Sequence, residues 1–276
     1  MPDLLKDRNY LTQLIHERQT VLTIGLDTDV KKLPTVVGSD VLAFNKAIIE
    51  ATQDLCIAYK INFAFYESLG LKGWDILEKT IQEIPSNHLI IADAKRGDIG
   101  NTSEMYARSV YDTLGCDAIT VSPYMGRDSV KPFYREGKWV IILALTSNEG
   151  SDDFQKQELK SGQKLYEQIM ETTSQWGSAE NTMYVVGATH PDDLKLIRNK
   201  YPDHFFLVPG VGAQGGDIDA ICEAGLNSRG GLLINASRSI LYAGGESDFA
   251  EKAWKEAMRL NGIMYPHIAD KMDSKG

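Results

Sequence analysis

The sequence predicts an α/β protein in which eight parallel strands close into a (β/α)8 barrel, and three observations predict it. Eight short apolar runs bounded by Gly, Pro, Asp or Asn recur along the chain, each mostly apolar on both parities, as a strand covered on both faces requires. Eight amphipathic stretches lie between and after them. The runs end at positions 27, 60, 93, 122, 147, 187, 210 and 236, a mean spacing of about 30 residues, the length of one strand–helix unit. That alternation points to a parallel sheet, and eight units in 276 residues point to a closed barrel. An open doubly wound sheet is the second reading.

Taken in order, residues 1–18 alternate charges with Leu4, Leu5, Leu11, Leu14 and Ile15 and read as an extra N-terminal helix capping the barrel bottom. Strands are expected at 21–27, 56–60, 88–93, 117–122, 139–145, 182–187, 205–209 and 231–235. Helices are expected at 41–55, 66–84, 102–114, 129–135, 163–176, 192–200, 217–224 and 248–259, and residues 263–276 read as a C-terminal tail. The whole chain, 1–276, reads as one barrel domain. The polar interval 146–160, TSNEGSDDFQKQELK, is too hydrophilic for core, and composition leaves open an active-site lid or a solvated excursion.

Composition excludes several classes. With 43% hydrophobic and 24% charged residues the chain is neither disordered nor fibrous. A net charge of −9 repels phosphate backbones and makes nucleic acid an unexpected partner. Cys56, Cys116 and Cys222 have neither disulfide-framework nor metal-ligand spacing and read as small buried residues. No apolar run approaches 18 residues, so no membrane is expected and a cytoplasmic protein is.

Barrels of this kind build their sites at the C-terminal ends of the strands. The first strand ends in Asp27, the second in Lys60, and the third in Asp93-Ala94-Lys95, with Asp98 shortly after. Alternation puts Asp93 and Lys95 on one side of their strand, and neighbouring strands lie about 4.8 Å apart, so Asp27, Lys60, Asp93 and Lys95 converge on one quadrant of the mouth. A stabilising ion network is the plain explanation for one such pair; four alternating charges on three adjacent strand ends argue for chemistry. Opposite charges nearby favour a lysine's charged form, which makes Lys95 a candidate proton donor. A carboxylate fixed beside a substrate carboxylate favours whichever step discharges one of them, and loss of CO2 is such a step.

The second informative segment is FLVPGVGAQGGD at 206–217. Its Gly210, Gly212 and Gly215 fit GxGxxG, but too little chain follows for a dinucleotide fold, and Asn235 stands where an acidic ribose ligand belongs. After the seventh strand, such a loop instead suits phosphate. The eighth strand runs into Asn235-Ala236-Ser237-Arg238; Arg238 offers a bidentate phosphate contact and the small Ser237 lets the backbone come close. The five histidines read as structural or solvated, and Phe63, Phe65 and Tyr66 after the second strand as packing residues rather than a surface on which a substrate stacks.

The run Asp93-Ala-Lys-Arg-Gly-Asp-Ile-Gly-Asn-Thr102 resembles the DxKxxDIGNT signature of orotidine 5′-phosphate decarboxylases. GLD at 25–27, AYKIN around Lys60, SPYMG at 122–126, TSNEG at 146–150, PGVGAQGGD at 209–217 and NASRSI at 235–240 extend the resemblance over nearly the whole chain. SPYMGRD, TSN and the chain length are similar to the longer, type 2 branch. The resemblance implies that Lys60, Asp93, Lys95 and Asp98 form a charged tetrad, with Asp98 supplied by the partner of a homodimer and Thr102 also reaching across to the ribose. It implies that Asp27 holds a ribose hydroxyl and that Ser147, with Thr146 and Asn148 beside it as alternatives, binds the pyrimidine edge. Gln214 and Arg238 would clamp the phosphate. The implied reaction is orotidine 5′-phosphate to UMP and CO2 in de novo pyrimidine synthesis, with no metal and no organic cofactor.

Two other readings compete. Metal-dependent sugar-phosphate decarboxylases and aldolases of the same superfamily share DxKxxD but resemble sites with an acid at the end of the second strand, where this chain has Lys60. A noncatalytic barrel that senses UMP would need the phosphate loop but not the ions.

Overall fold

A computed structural model describes residues 4–189, 191–211 and 217–273. Eight parallel strands, β1 (Leu22–Gly25), β2 (Ala58–Asn62), β3 (Leu89–Arg96), β4 (Ala118–Val121), β5 (Trp139–Leu145), β6 (Thr182–Val186), β7 (Phe205–Pro209) and β8 (Leu232–Ala236), close into a barrel, β8 pairing with β1. The barrel expectation therefore holds and the open sheet does not. Nearly every strand residue is buried on both faces, which accounts for runs that are apolar on both parities.

The helices are α1 (Arg8–Arg18), α2 (Val41–Thr52), α3 (Phe63–Glu67), α4 (Leu71–Glu83), α5 (Gly100–Arg108), α6 (Arg127–Val130), α7 (Leu165–Thr173), α8 (Pro191–Lys200), α9 (Ile218–Gly225), α10 (Arg238–Leu241) and α11 (Phe249–Asp273). Helix α1 is the extra N-terminal helix, capped by Asp7, whose side chain accepts from Tyr10 N–H. The segment before it is tied down where Lys6 Nζ meets Asp117 at 2.6 Å and Trp139 Nε1 donates to Lys6 O at 2.7 Å.

Two expectations are corrected. The stretch 66–84 is not one helix: Gly70, at φ +65°, stands in the left-handed region between α3 and α4. A Cβ on Gly73 would lie 1.8 Å from Tyr66 O, so the joint has room for hydrogen only. Residues 263–276 are not a tail over their described part, because α11 runs on to Asp273. Ala253, Ala257, Leu260, Met264 and Ile268 form one buried stripe at three- and four-residue steps, so the apolar face continues through the region read as a tail.

Among the described residues no helix is long and apolar enough to cross a membrane. All three cysteines are buried free thiols.

Register sets the level at which side chains meet. Gly25 pairs with Lys60, Asn62 with Asp93, and Pro209 with Asn235. Beneath them, Arg198 ties the lower ends of α8, α9 and the last two strands together through carbonyls of Gly225, Tyr201, His204 and Gly231.

Below the barrel, His88 is fully enclosed, its Nε2 2.6 Å from an Arg18 guanidinium nitrogen and 2.7 Å from Gln53 O. Burial first, and Arg18 second, push its pKa down to about 4; burial and Arg198 do the same for His204. The unfolded chain binds these protons near the ordinary value of about 6.5, so stability present above that pH is lost as pH falls toward the folded values. The urea midpoint is expected to drop between about pH 6.5 and about pH 4, with a shallower slope in His88→Gln. An unchanged slope in the variant would remove His88 from this account.

Candidate functional site

The site begins with a glycine. A Cβ built on Gly25 would fall 1.9 Å from Ser237 Oγ and 3.1 Å from Asn235 Oδ1, so only glycine lets the end of β8 bring that hydroxyl beside β1. Two residues on, Asp27 faces Lys60 across the β1–β2 ladder. Lys60 Nζ donates to Asp27 Oδ1 and to Asp93 Oδ2, both at 3.1 Å. Asp93 Oδ1 in turn accepts from Lys95 Nζ at 2.5 Å and from Thr120 Oγ1 at 3.0 Å.

The four charges are not equivalent. The Lys60 side chain is 4% exposed and that of Asp93 9%, whereas that of Lys95 is 48% exposed. Lys60 is thus the buried hub, and Lys95 is the ammonium a ligand can reach. Burial opposes the charge on Lys60, but Asp27 and Asp93 outweigh it and raise its pKa above the ordinary lysine value. Burial likewise opposes ionisation of Asp93, and Lys60 and Lys95 overcome it, holding the carboxyl at about 2. Asp93 is therefore a fixed anion near neutral pH.

Two cavities meet at these charges, sharing Lys60, Asp93 and Pro209. One, of about 180 Å³, is polar, with Asp27, Asn62, Asn235, Ser237 and Arg238 in its wall. The other, of about 200 Å³, sets Leu143, Val185 and Leu207 opposite Lys95 and is bounded by Thr146, Ser147 and Asn148. Gly187 makes that last loop possible, since a Cβ there would lie 2.7 Å from Ser147 N. A ligand spanning both cavities would have an anion-binding end, an apolar end and the ions between them. Arg238 is exposed and has no ion-pair partner among the described residues.

Of the residues singled out from sequence, Asp27, Lys60, Asp93, Lys95, Ser147, Ser237 and Arg238 line this one cleft. Asp98 and Thr102 do not: Asp98 Oδ1 accepts from Ile99 N–H, its backbone N–H is held by Ser103 Oγ, and Thr102 is exposed on α5. Gly212, Gln214 and Gly215 lie outside the described residues. Sequence reasoning gave no role to Asn62, Thr120 or Asn235, all in the cleft wall. Asn62 shares parity with Lys60 and was findable that way. Thr120 sits inside an uncharged strand and gave no signal.

The charge convergence expected from simple strand alternation is present but is reached differently. Lys95 adopts a left-handed conformation, φ +47°, where the β3–β4 register shifts between Ala92 and Arg96. A non-glycine residue is uncommon there, so the bulge holds Lys95 in a conformation lysine seldom adopts.

Residues 20–253 match the family model described as orotidine 5′-phosphate decarboxylase / HUMPS family. An orotidine 5′-phosphate decarboxylase of Phocaeicola vulgatus is 51% identical over 265 residues, covering 94% of this chain and 97% of that protein. The Leishmania donovani OMP decarboxylase structure has a TM-score of 0.78 at 37% identity, over 92% of this chain and 99% of that one. The structure of Leishmania donovani UMP synthase has a TM-score of 0.79 at 39% identity, over 91% of this chain, which spans only 56% of that longer protein.

Lys60→Met is expected to leave Asp27 and Asp93 facing one another without the cation between them, Lys95 still reaching Asp93 from the cleft side. Breaking a buried ion network by removing one partner costs about 3–5 kcal/mol, and protonation of the carboxylates relieves it. Urea unfolding should show that loss at neutral pH and a smaller one in mild acid. Equal stability of variant and parent at pH 7 would show that Lys60 is not the hub.

Proposed function

We infer the reaction from kinship and geometry together: the chain belongs to the orotidine 5′-phosphate decarboxylase / HUMPS family, and it is a carboxy-lyase of pyrimidine biosynthesis that converts orotidine 5′-phosphate to UMP and CO2. The observation that carries the reading is the ionised Asp93, pinned by Lys60 and Lys95 beside an apolar wall.

We propose that the pyrimidine lies in the apolar cavity with its C6 carboxylate against Asp93. Two like charges at that range repel, and departure of CO2 discharges one of them. The electron pair left on C6 faces the Lys95 ammonium, which stabilises it and then supplies the proton. Ser147, with Thr146 and Asn148 beside it, meets the pyrimidine edge; Asp27 takes a ribose hydroxyl; Arg238 and Ser237 hold the phosphate, and we assign Gln214 and the glycine loop of Gly212 and Gly215 to the same group. Binding energy from the phosphate is used at the distant carbon. The buried free thiols fit a cytoplasmic enzyme.

The metal-dependent alternative loses support at Lys60, whose ammonium stands between the two carboxylates that a divalent ion would need. The expected result is loss of orotidine 5′-phosphate absorbance in the presence of EDTA, with Lys95→Ala folded but slower by about 10²–10⁴-fold. Turnover that requires a divalent ion would favour the aldolase-like reading, and UMP binding without turnover the sensor. Near-normal turnover in Lys95→Ala would reject the proton-donor role.

We propose that two copies share their sites, Asp98 and Thr102 entering the partner's cleft. Ile99, Met105, Tyr124 and Met125 expose apolar surface on the segments that flank or adjoin Asp98 and Thr102, an arrangement that suits a covering partner. Lys95→Ala and Asp98→Ala are each expected to be nearly inactive, and an equal mixture to regain about a quarter of parental activity, because one of the two sites in each heterodimer is intact. Activity no greater than the sum of the parents would place both residues in one chain's site.

A further inference from the structure

We propose that Thr120 is a positioning residue that locks Asp93 and Lys95 into their working geometry, an inference that rests on the decarboxylase reading of the same cleft. Strands β3 and β4 pair at Ala92↔Ile119 and next at Arg96↔Val121, so β3 uses four residues where β4 uses two. The excess is a bulge, and Lys95 stands in it at φ +47°. A bulged residue loses its ladder partner, and its N–H needs another acceptor.

Thr120 supplies it. The hydroxyl accepts from Lys95 N–H at 3.0 Å and donates to Asp93 Oδ1, also at 3.0 Å. A hydroxyl has a single proton, so accepting from the backbone and donating to the carboxylate fixes its direction. Thr120 is 1% exposed, and its branched side chain has little rotational freedom, so the bridge is rigid. The same carboxylate oxygen takes the Lys95 ammonium at 2.5 Å. Lys95 is therefore tied to Asp93 at both ends, by its ammonium directly and by its backbone through Thr120. Without the hydroxyl, Asp93 keeps its ion pairs but loses the donor that sets its plane, and Lys95 loses what holds it in a conformation lysine seldom adopts.

Thr120→Ala and Thr120→Ser test this, since the two differ only in the hydroxyl. The alanine variant is expected to lose about 10- to 100-fold in kcat, the worth of a hydrogen bond to a charged group. KM and the Kd for UMP should stay near parental values, and the serine variant should restore kcat. The acid limb of the kcat–pH profile should move toward neutral pH in the alanine variant alone, because its Asp93 has lost a donor. Crystal structures should show Lys95 leaving the left-handed region in alanine and keeping it in serine. Equal kcat and pH profiles in the two variants, with Lys95 and Asp93 unmoved, would overturn the proposal. If the parent does not consume orotidine 5′-phosphate, the decarboxylase reading falls, and the crystallographic comparison decides the positioning role by the same two outcomes.

Discussion

An ammonium ion buried at the end of the second strand constrains the rest of the molecule. Lys60 has almost no access to water, and an isolated charge there would cost several kcal/mol or shed its proton. Two carboxylates prevent this, each delivered by a neighbouring strand at a fixed level: Gly25 opposite Lys60 places Asp27, and Asn62 opposite Asp93 places the second acid. A slip of one residue in either pairing would turn that acid to the helix side of the sheet and leave the ammonium with only one of its two carboxylates. Closure and register are thus conditions for the ion cluster to exist at all. The glycine at position 25 and the bulge at Lys95 are local adjustments that let the strand ends satisfy those conditions.

The same constraint limits how much of the chemistry repulsion can supply. Two carboxylates about 4 Å apart interact by about 4 kcal/mol at an effective dielectric of about 20, or about three powers of ten in rate. Enzymatic accelerations commonly exceed that by several more. The remainder must come from stabilisation of the product anion and from binding energy realised elsewhere. In the proposed mechanism these parts fall to separate groups: Asp93 is buried and anchored, Lys95 is open to the cleft, and Arg238 stands in the far cavity.

How far the sequence revealed this depended on whether a feature carried a charge at a strand end. Asp27, Lys60 and Asp93 were legible because repeated unit length placed them at equivalent ends, and the structure brings them within hydrogen-bonding distance. Lys95 was legible in place but not in cause, since alternation does not anticipate a left-handed residue in a bulge. Thr120 was invisible because a threonine in a buried strand is ordinary until its hydroxyl has two charged or polar partners from another strand. The break at Gly70 was missed because the apolar period runs through it. The helix expected at 248–259 runs on to Asp273, because the buried stripe at Met264 and Ile268 carries it past Pro266. A role for Asp98 from a partner copy rests on the motif at residues 93–102, since within one chain its hydrogen bonds go to Ile99 and Ser103 and not to the cleft ions.

A chain of net charge −9 that takes an anionic nucleotide must solve a problem of range. Screening at physiological salt cuts exposed charge interactions beyond about 8 Å, so the overall field matters less than the balance within the cleft. Among the described residues there, Asp27, Lys60, Asp93 and Lys95 cancel, and Arg238 leaves one positive charge unspent at the polar end. The end of the cleft that attracts an anion is therefore spatially distinct from the end that repels one. On the placement proposed above, a phosphorylated ligand is drawn in by its tail while its carboxylate is pressed toward Asp93, and only a molecule carrying both groups at the right separation experiences both forces. On that reading the buried ion cluster selects the substrate as well as driving its reaction.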